Sequence, residues 1–332
     1  MGAAMSAHFA TTLVNGRAGD PALLLELPQQ ARAVLFDAGD LSKLDARVLR
    51  RVSHLFLSHA HIDHIIGFDT LLRAKMNHAG EVAVFGPHGT IGRIGHRLRG
   101  YEWDLVDQIE PVLAFTVHEV SGNTLKIARF VLQQRFRPEG LPMLPCPPDG
   151  LLLDTPWLKV RAAVLRHHGP ILAFRAEAPP LVTVDAGAIL DRGWGLGPWV
   201  AKLKSAVLAG SKSLGTPGGT LSLAALADMV RVVPGHSLGY VTDMADTPAN
   251  RITAQALVAK VDTLFIEAPF LQGEAGTPPG RGHISALTAG QIASAAGAGS
   301  VEPFHFSARH MPAELLAEVA RGFGRPLGAA PG

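Results

Sequence analysis

Short apolar runs rich in β-branched and aromatic residues fill the first half of the chain, each bounded by polar or Gly/Pro punctuation. Residues 22–27, 33–36, 54–57 and 82–85 read as strands, and residues 158–165, 171–177 and 181–185 as later ones. Apolar residues recurring at helical spacing predict helices over 68–77, 199–208, 221–229, 249–260, 286–296 and 312–321, the last opening with Pro312 in its first turn. The two kinds of element interleave with no break in composition, which predicts a single α/β domain over residues 1–325, with a two-domain division as the alternative. Residues 138–150 are Pro-rich and read as an excursion over the surface. Residues 210–220 read as a mobile Gly/Ser loop, and 326–332 as a disordered tail.

Hydrophobic residues are 47% and charged residues 17% of the 332, which excludes a disordered chain. No apolar run approaches the roughly 20 residues of a membrane span, so no membrane partner is expected. The first residues carry no Lys or Arg ahead of an apolar block; a secretory signal is not expected, and a cytoplasmic location is. A lone cysteine, Cys146, excludes an internal disulfide and a thiolate-rich metal site. Against it stand 15 histidines, whose imidazoles ligate metals and move protons near neutral pH. The net charge of +2 argues neither for nor against nucleic acid. Arg93, Arg97 and Arg99 in IGRIGHRLRG read either as a phosphate-facing patch or as a solvated helix face.

The segment HLFLSHAHIDHIIGFDTLLR concentrates the chemistry. Its strand runs into Ser58-His59-Ala60-His61-Ile62-Asp63-His64, followed by Gly67 and a helical pattern. An extended chain puts His59 and His61 on one side, while Asp63 and His64, at the turn into the helix, aim at a second point nearby. All four donors are nitrogen or oxygen, which suits Zn2+, with Mn2+ or Fe2+ also accommodated. A lone H-x-H is commonly incidental; the full string directly after an apolar strand is far more specific.

That string resembles the signature of the metallo-β-lactamase superfamily. Leu165-Arg166-His167-His168-Gly169-Pro170-Ile171-Leu172-Ala173-Phe174-Arg175 is similar to the ribonuclease Z pattern of a His, a Pro three residues on, and a small–aromatic pair. It selects His167 as ligand, with His168 as the alternative. Tyr240-Val241-Thr242-Asp243 resembles the bridging-aspartate motif, and Phe304-His305-Phe306-Ser307-Ala308-Arg309-His310 the closing one, with His310 where the family has Tyr. Leu264-Phe265-Ile266-Glu267-Ala268-Pro269-Phe270 and Arg281-Gly282-His283-Ile284-Ser285 are similar to two further ribonuclease Z segments, and Phe36-Asp37-Ala38-Gly39 to the strand and turn before the metal loop.

The resemblance implies an αββα four-layer sandwich, two mixed β-sheets flanked by helices, with two divalent ions. His59, His61 and His167 would hold one, Asp63, His64 and His305 the other, and Asp243 would bridge them. It implies a phosphodiesterase or endoribonuclease using a metal-bridging hydroxide that Asp63 orients. His283 would assist the leaving oxygen, and Glu267 would orient His283 or serve as a buried structural acid; Asp37 reads as a supporting or turn residue. RNA or a small phosphodiester is the implied substrate, and a homodimer is common in the branch. The stretch between Asp185 and Val232 is short and weakly basic for the arm with which ribonuclease Z enzymes grip tRNA, which speaks against tRNA processing. Two alternatives stay open: the same metals acting on a carbonyl (lactone, thioester or β-lactam), and a metal-bound RNA-binding or sensing protein without turnover.

Overall fold

The computed structural model describes residues 8–274 and 282–328. Where the alternation of elements predicts a single domain over 1–325, the contacts close in two units: Phe9–Glu177 with the chain from Ser237 onward, and the insertion Ala178–His236 with His8. The insertion has its own small core of Ile189, Leu203, Leu226 and Met229.

The larger unit is built on two sheets. In the first, β1 (Ala10–Leu13), β2 (Leu23–Leu27), β3 (Arg32–Phe36), β4 (Val52–Phe56), β5 (Gly80–Pro87), β6 (Leu113–Ser121), β7 (Thr124–Val131) and β8 (Pro138–Pro145) lie in sequence order. Its centre, β3 to β6, is parallel and its flanks are antiparallel. The second sheet begins with β9 (Leu151–Asp154), β10 (Lys159–Arg166) and β11 (Pro170–Ala178). The chain then passes through the insertion, with β12 (Leu181–Val184), β13 (Ser213–Thr216), β14 (Gly219–Ser222) and β15 (Val230–Val233). It returns as β16 (His236–Val241), β17 (Thr263–Glu267) and β18 (Ser300–Phe304), giving the order β18-β17-β16-β11-β10-β9.

Strand alternation divides the core into layers. Leu35, Leu55 and Val84 pack against Leu49, Leu71 and Ile94 of the helices Ala46–Arg51, Phe68–Lys75 and Thr90–Leu98. Their neighbours Phe36 and Phe56 instead meet Phe174 of β11, with ring centroids 5.7 and 5.5 Å apart, and Phe36 meets Tyr240 of β16 at 5.8 Å. Beyond the second sheet, Val241, Ile266 and Val301 pack with Ala254, Ile292 and Leu315 of the helices Pro248–Leu257, Ala286–Ala296 and Pro312–Phe323. Helix, sheet, sheet, helix is the αββα order.

Several segments depart from the sequence expectation. Residues 138–145 are not an excursion but the edge strand β8, paired antiparallel with β7. An edge tolerates Pro138, Pro142 and Pro145 because one side of the strand needs no donors. Residues 213–222 form the hairpin β13–β14 rather than a mobile loop. The helix expected over 221–229 is a 3-10 helix, Leu223–Met229, because Ser222 ends β14 and its side chain accepts from the Ala225 N–H. The hairpin β6–β7 was not foreseen, although Gly122-Asn123 is a hairpin turn signal. In the tail, Leu327 packs on the second core, and residues 329–332 lie outside the described residues. No helix among the described residues is long and apolar enough to cross a membrane.

In the insertion, β12 pairs antiparallel with β15. The Arg192 guanidinium lies 5.6 Å from the centre of the Trp194 ring and pairs with Asp228.

One contact in the larger unit fixes the metal loop. The Gly67 N–H donates to the Ala38 carbonyl at 2.9 Å, and a Cβ on Gly67 would overlap the Gly39 carbonyl oxygen. Gly67→Ala is therefore expected to cost about 1–3 kcal/mol in urea denaturation. Gly92→Ala, on a helix face with open space around it, should be neutral or stabilise by up to about 1 kcal/mol. Equal effects of the two would contradict this packing.

Candidate metal centre

The chemistry-bearing residues collect at the ends of strands. Asp37 follows β3, the segment 57–64 follows β4, His167 follows β10, Asp243 lies just beyond β16, Glu267 ends β17 and His305 follows β18. Asp37, Asp243 and His305 have φ of 57°, 49° and 60°. Asp and His are among the few residues that adopt this left-handed region readily, and here it breaks each strand sharply. The metal loop ties the two sheets, since the Leu57 N–H donates to Phe85 at 2.7 Å and the Ser58 carbonyl accepts from Leu172 at 2.9 Å. His61 then precedes the short helix Ile62–Ile65, which carries Asp63 and His64.

The side chains converge in three overlapping groups whose ligand atoms lie within 4.8 Å of one another. One is His59, His61, His167 and Asp243; the second is Asp63, His64 and His305; the third is Asp243, Glu267, His283 and His305. Asp243 is central. Its Oδ2 lies 3.4 Å from His59 Nε2 and 3.3 Å from His64 Nε2, and its Oδ1 lies 2.8 Å from His305 Nδ1. Asp63 Oδ2 stands 3.4 Å from His64 Nε2 and 3.3 Å from His305 Nε2.

The chain has counterparts among known proteins. The family model described as the metallo-β-lactamase superfamily matches residues 22–170. The ribonuclease Z of Deinococcus radiodurans is 32% identical over 288 residues, covering 85% of this chain and 84% of that protein. This chain belongs to the metallo-β-lactamase superfamily, in its ribonuclease Z branch. The Proteus mirabilis protein named ribonuclease BN is 24% identical, covering 89% of this chain and 87% of that one. The fold is shared with the metallo-β-lactamase fold protein YhfI of Bacillus subtilis, at TM-score 0.56, 18% identity and coverage of 96% and 94%. It is shared also with the short form of human tRNase Z, at TM-score 0.51, 16% identity and coverage of 91% and 92%.

Membership of this branch makes the chain a metal-dependent hydrolase, and its side chains fit divalent cations. The Nε2 atom of His59 is buried with no hydrogen-bond partner. Such an orphaned nitrogen is costly unless something takes its lone pair. Burial, reinforced by the neighbouring His64, depresses His59 to about 3, and burial takes His167 to about 4. Both are held as the neutral imidazoles that ligate metals. Burial opposes charge on His64 and His305 too, but Asp243 outweighs it, helped by Asp37 on His64 and by Asp63 on His305. His64 lies well above the usual imidazole range and His305 rises to about 10. Burial likewise pushes the Asp243 carboxyl up, and His305 and His64 more than offset it, holding it well below the carboxylate range. Carboxylates that retain protons on two imidazoles this strongly can retain divalent cations in their place.

Two of these imidazoles are aimed by a partner. His64 Nδ1 lies 2.8 Å from Asp37 Oδ2, and His167 Nδ1 lies 2.6 Å from the Gly282 carbonyl oxygen. Asp37 is fully buried and also accepts from the Ser58 N–H at 2.7 Å, the Ser58 hydroxyl at 2.8 Å and the Tyr240 hydroxyl at 2.9 Å. Glu267 Oε2 lies 2.7 Å from His283 Nδ1, while its Oε1 accepts from the Met244 N–H at 2.7 Å. His168 is in none of the three groups: it is exposed, and its ring is 6.3 Å from that of His61, against 5.2 Å for His167. Ser58, Tyr240 and the Gly282 carbonyl were missed as supports, though Tyr240 and Gly282 stand inside motifs that could have pointed to them.

Proposed function

We propose that this chain is a phosphodiesterase that cleaves RNA or a small phosphodiester with two divalent ions, Zn2+ foremost, and acts in the cytoplasm. The observation that carries the reading is Asp243, whose Oδ2 faces His59 of one donor group at 3.4 Å and His64 of the adjacent group at 3.3 Å. His59, His61 and His167 would hold one ion, Asp63, His64 and His305 the other, and Asp243 both. When bound, such a pair lowers the pKa of water and offsets charge on the phosphoryl oxygens. The relatives named ribonuclease Z and BN favour a phosphodiester over a carbonyl substrate.

Asp63 would orient the attacking water. Burial raises its carboxyl, but hydrogen bonds and charge from His305 and His64 pull it far below the usual range, so it stays ionised. His283 would protonate the leaving oxygen. Burial disfavours its charge, yet Glu267 outweighs that and raises it above its ordinary value, which favours the protonated form.

A panel of phosphodiester, ester, lactone and β-lactam substrates tests this reading, with turnover expected on bis(p-nitrophenyl) phosphate and an oligoribonucleotide. Turnover confined to carbonyl substrates would overturn it. In the same assay, His283→Ala should slow oligoribonucleotide cleavage by about a hundredfold or more. It should slow the p-nitrophenyl ester far less, because p-nitrophenolate departs without a proton. Equal losses on both would remove the proton-donor role.

A further inference from the structure

The three arginines of IGRIGHRLRG do not act as one patch. Arg97 Nη1 donates to Asp69 Oδ2 at 2.7 Å, and Arg99 Nε donates to the Gly95 carbonyl of its own helix at 3.0 Å. Arg93 alone lines the cavity of about 330 Å3 that also holds His59, His61, His167 and His168. Its Nη1 reaches only the His88 carbonyl, at 3.4 Å, and no carboxylate pairs with it among the described residues. Gly89 leaves the room it occupies: its φ is +91°, and a Cβ there would overlap the Arg93 guanidinium.

An arginine exposed in the same cavity as proposed metal ligands, with no acid to neutralise it, is placed for an anion. The charge of the phosphoryl group being cleaved would be met by the cations these ligands would hold, which leaves this guanidinium for a further anion. An uncharged lactone or ester would offer it nothing. A guanidinium fork suits the paired oxygens of a phosphate better than any other side chain does. We infer that Arg93 binds a second phosphoryl group of the substrate, next along the chain from the one cleaved, so that the enzyme selects oligonucleotides over single phosphodiesters. This rests on the phosphodiesterase reading above and names its substrate class more narrowly.

Two readouts on the Zn2+-loaded protein test it. The first compares kcat/KM for the trinucleotide UpUpU and the dinucleotide UpU in the wild type, Arg93→Gln and Arg93→Lys. A charge-assisted contact gives about a tenfold or greater preference for UpUpU in the wild type, which Arg93→Gln loses and Arg93→Lys partly keeps. The second is calorimetric binding of adenosine 3′,5′-bisphosphate against adenosine 5′-monophosphate. About a tenfold difference is expected in the wild type and none in Arg93→Gln. The exposed position of Arg93 lets both variants fold, and their melting temperatures check this.

Preferences that survive in Arg93→Gln, or that are absent from the wild type in both assays, overturn the inference while leaving the hydrolytic reading intact wherever UpU is cleaved. A wild type that cleaves neither nucleotide yet shows the Arg93-dependent binding difference supports the anion subsite and refutes the phosphodiesterase reading.

Discussion

Replacing Asp243 with asparagine or alanine is expected to lower turnover of bis(p-nitrophenyl) phosphate by about a thousandfold or more, even with saturating Zn2+ or Mn2+. The two donor groups meet through this one side chain. Its Oδ2 faces His59 Nε2 at 3.4 Å and His64 Nε2 at 3.3 Å, and its Oδ1 faces His305 at 2.8 Å. Without the carboxylate, three imidazoles in a buried site lose their common anion, and cations placed there would repel one another unscreened. Asparagine keeps the shape of the side chain and removes only the charge, so its loss of activity separates electrostatics from misfolding. His61→Ala should be as damaging to turnover for a different reason. His61 is exposed and its side chain makes no hydrogen bond among the described residues, so its removal subtracts a donor from the first group alone. Turnover undiminished in either variant would remove the assignment.

Asp37→Ala is expected to be the most destabilising single change near the site, by about 3–5 kcal/mol in urea denaturation. The residue is fully buried, and its carboxylate accepts from Ser58 twice, from Tyr240 and from the His64 ring. Removing it leaves these donors buried without an acceptor, and each such loss costs about 1–3 kcal/mol. The Tyr240 bond also joins β16 to the turn after β3, so one carboxylate links the two sheets. Asp37→Asn should be milder in stability, yet it places an NH2 among donors and frees the His64 ring to turn. Partners of this kind typically contribute about 10–100-fold in metal affinity, to be read by Zn2+ competition with a chelator. Wild-type stability and wild-type affinity in both variants would show that Asp37 does not hold His64.

The sequence disclosed what is local and hid what is distant. His59, His61, Asp63 and His64 are legible because four donors within six residues follow an apolar strand, so their convergence needs almost no folding to imagine. His167, Asp243 and His305 carry no such signal of their own and were reached through family motifs. Asp37 could be placed next to the metal loop, but its bond to Tyr240 spans 203 residues and no spacing announces it. Its left-handed backbone was equally silent, since Asp37, Asp243 and His305 stand where glycine would have marked the turn. The arginines of IGRIGHRLRG show the same limit: only the positions of Asp69 and of the cavity separate Arg97 from Arg93. Edge position likewise decides what a Pro-rich stretch becomes, and β8 is a strand because β7 lies beside it.

The central claim is that two cations, held jointly by Asp243, carry the hydrolysis. The most direct test strips the protein with a chelator, restores Zn2+ in measured equivalents, and follows bound metal and bis(p-nitrophenyl) phosphate turnover together, with Asp243→Asn alongside. Two cooperating ions predict little turnover before the first site fills, full rate as the second equivalent binds, and neither full loading nor turnover in the variant. Full rate in the stripped protein, full rate at a single equivalent, or an Asp243→Asn variant that keeps both metals and its activity would contradict it.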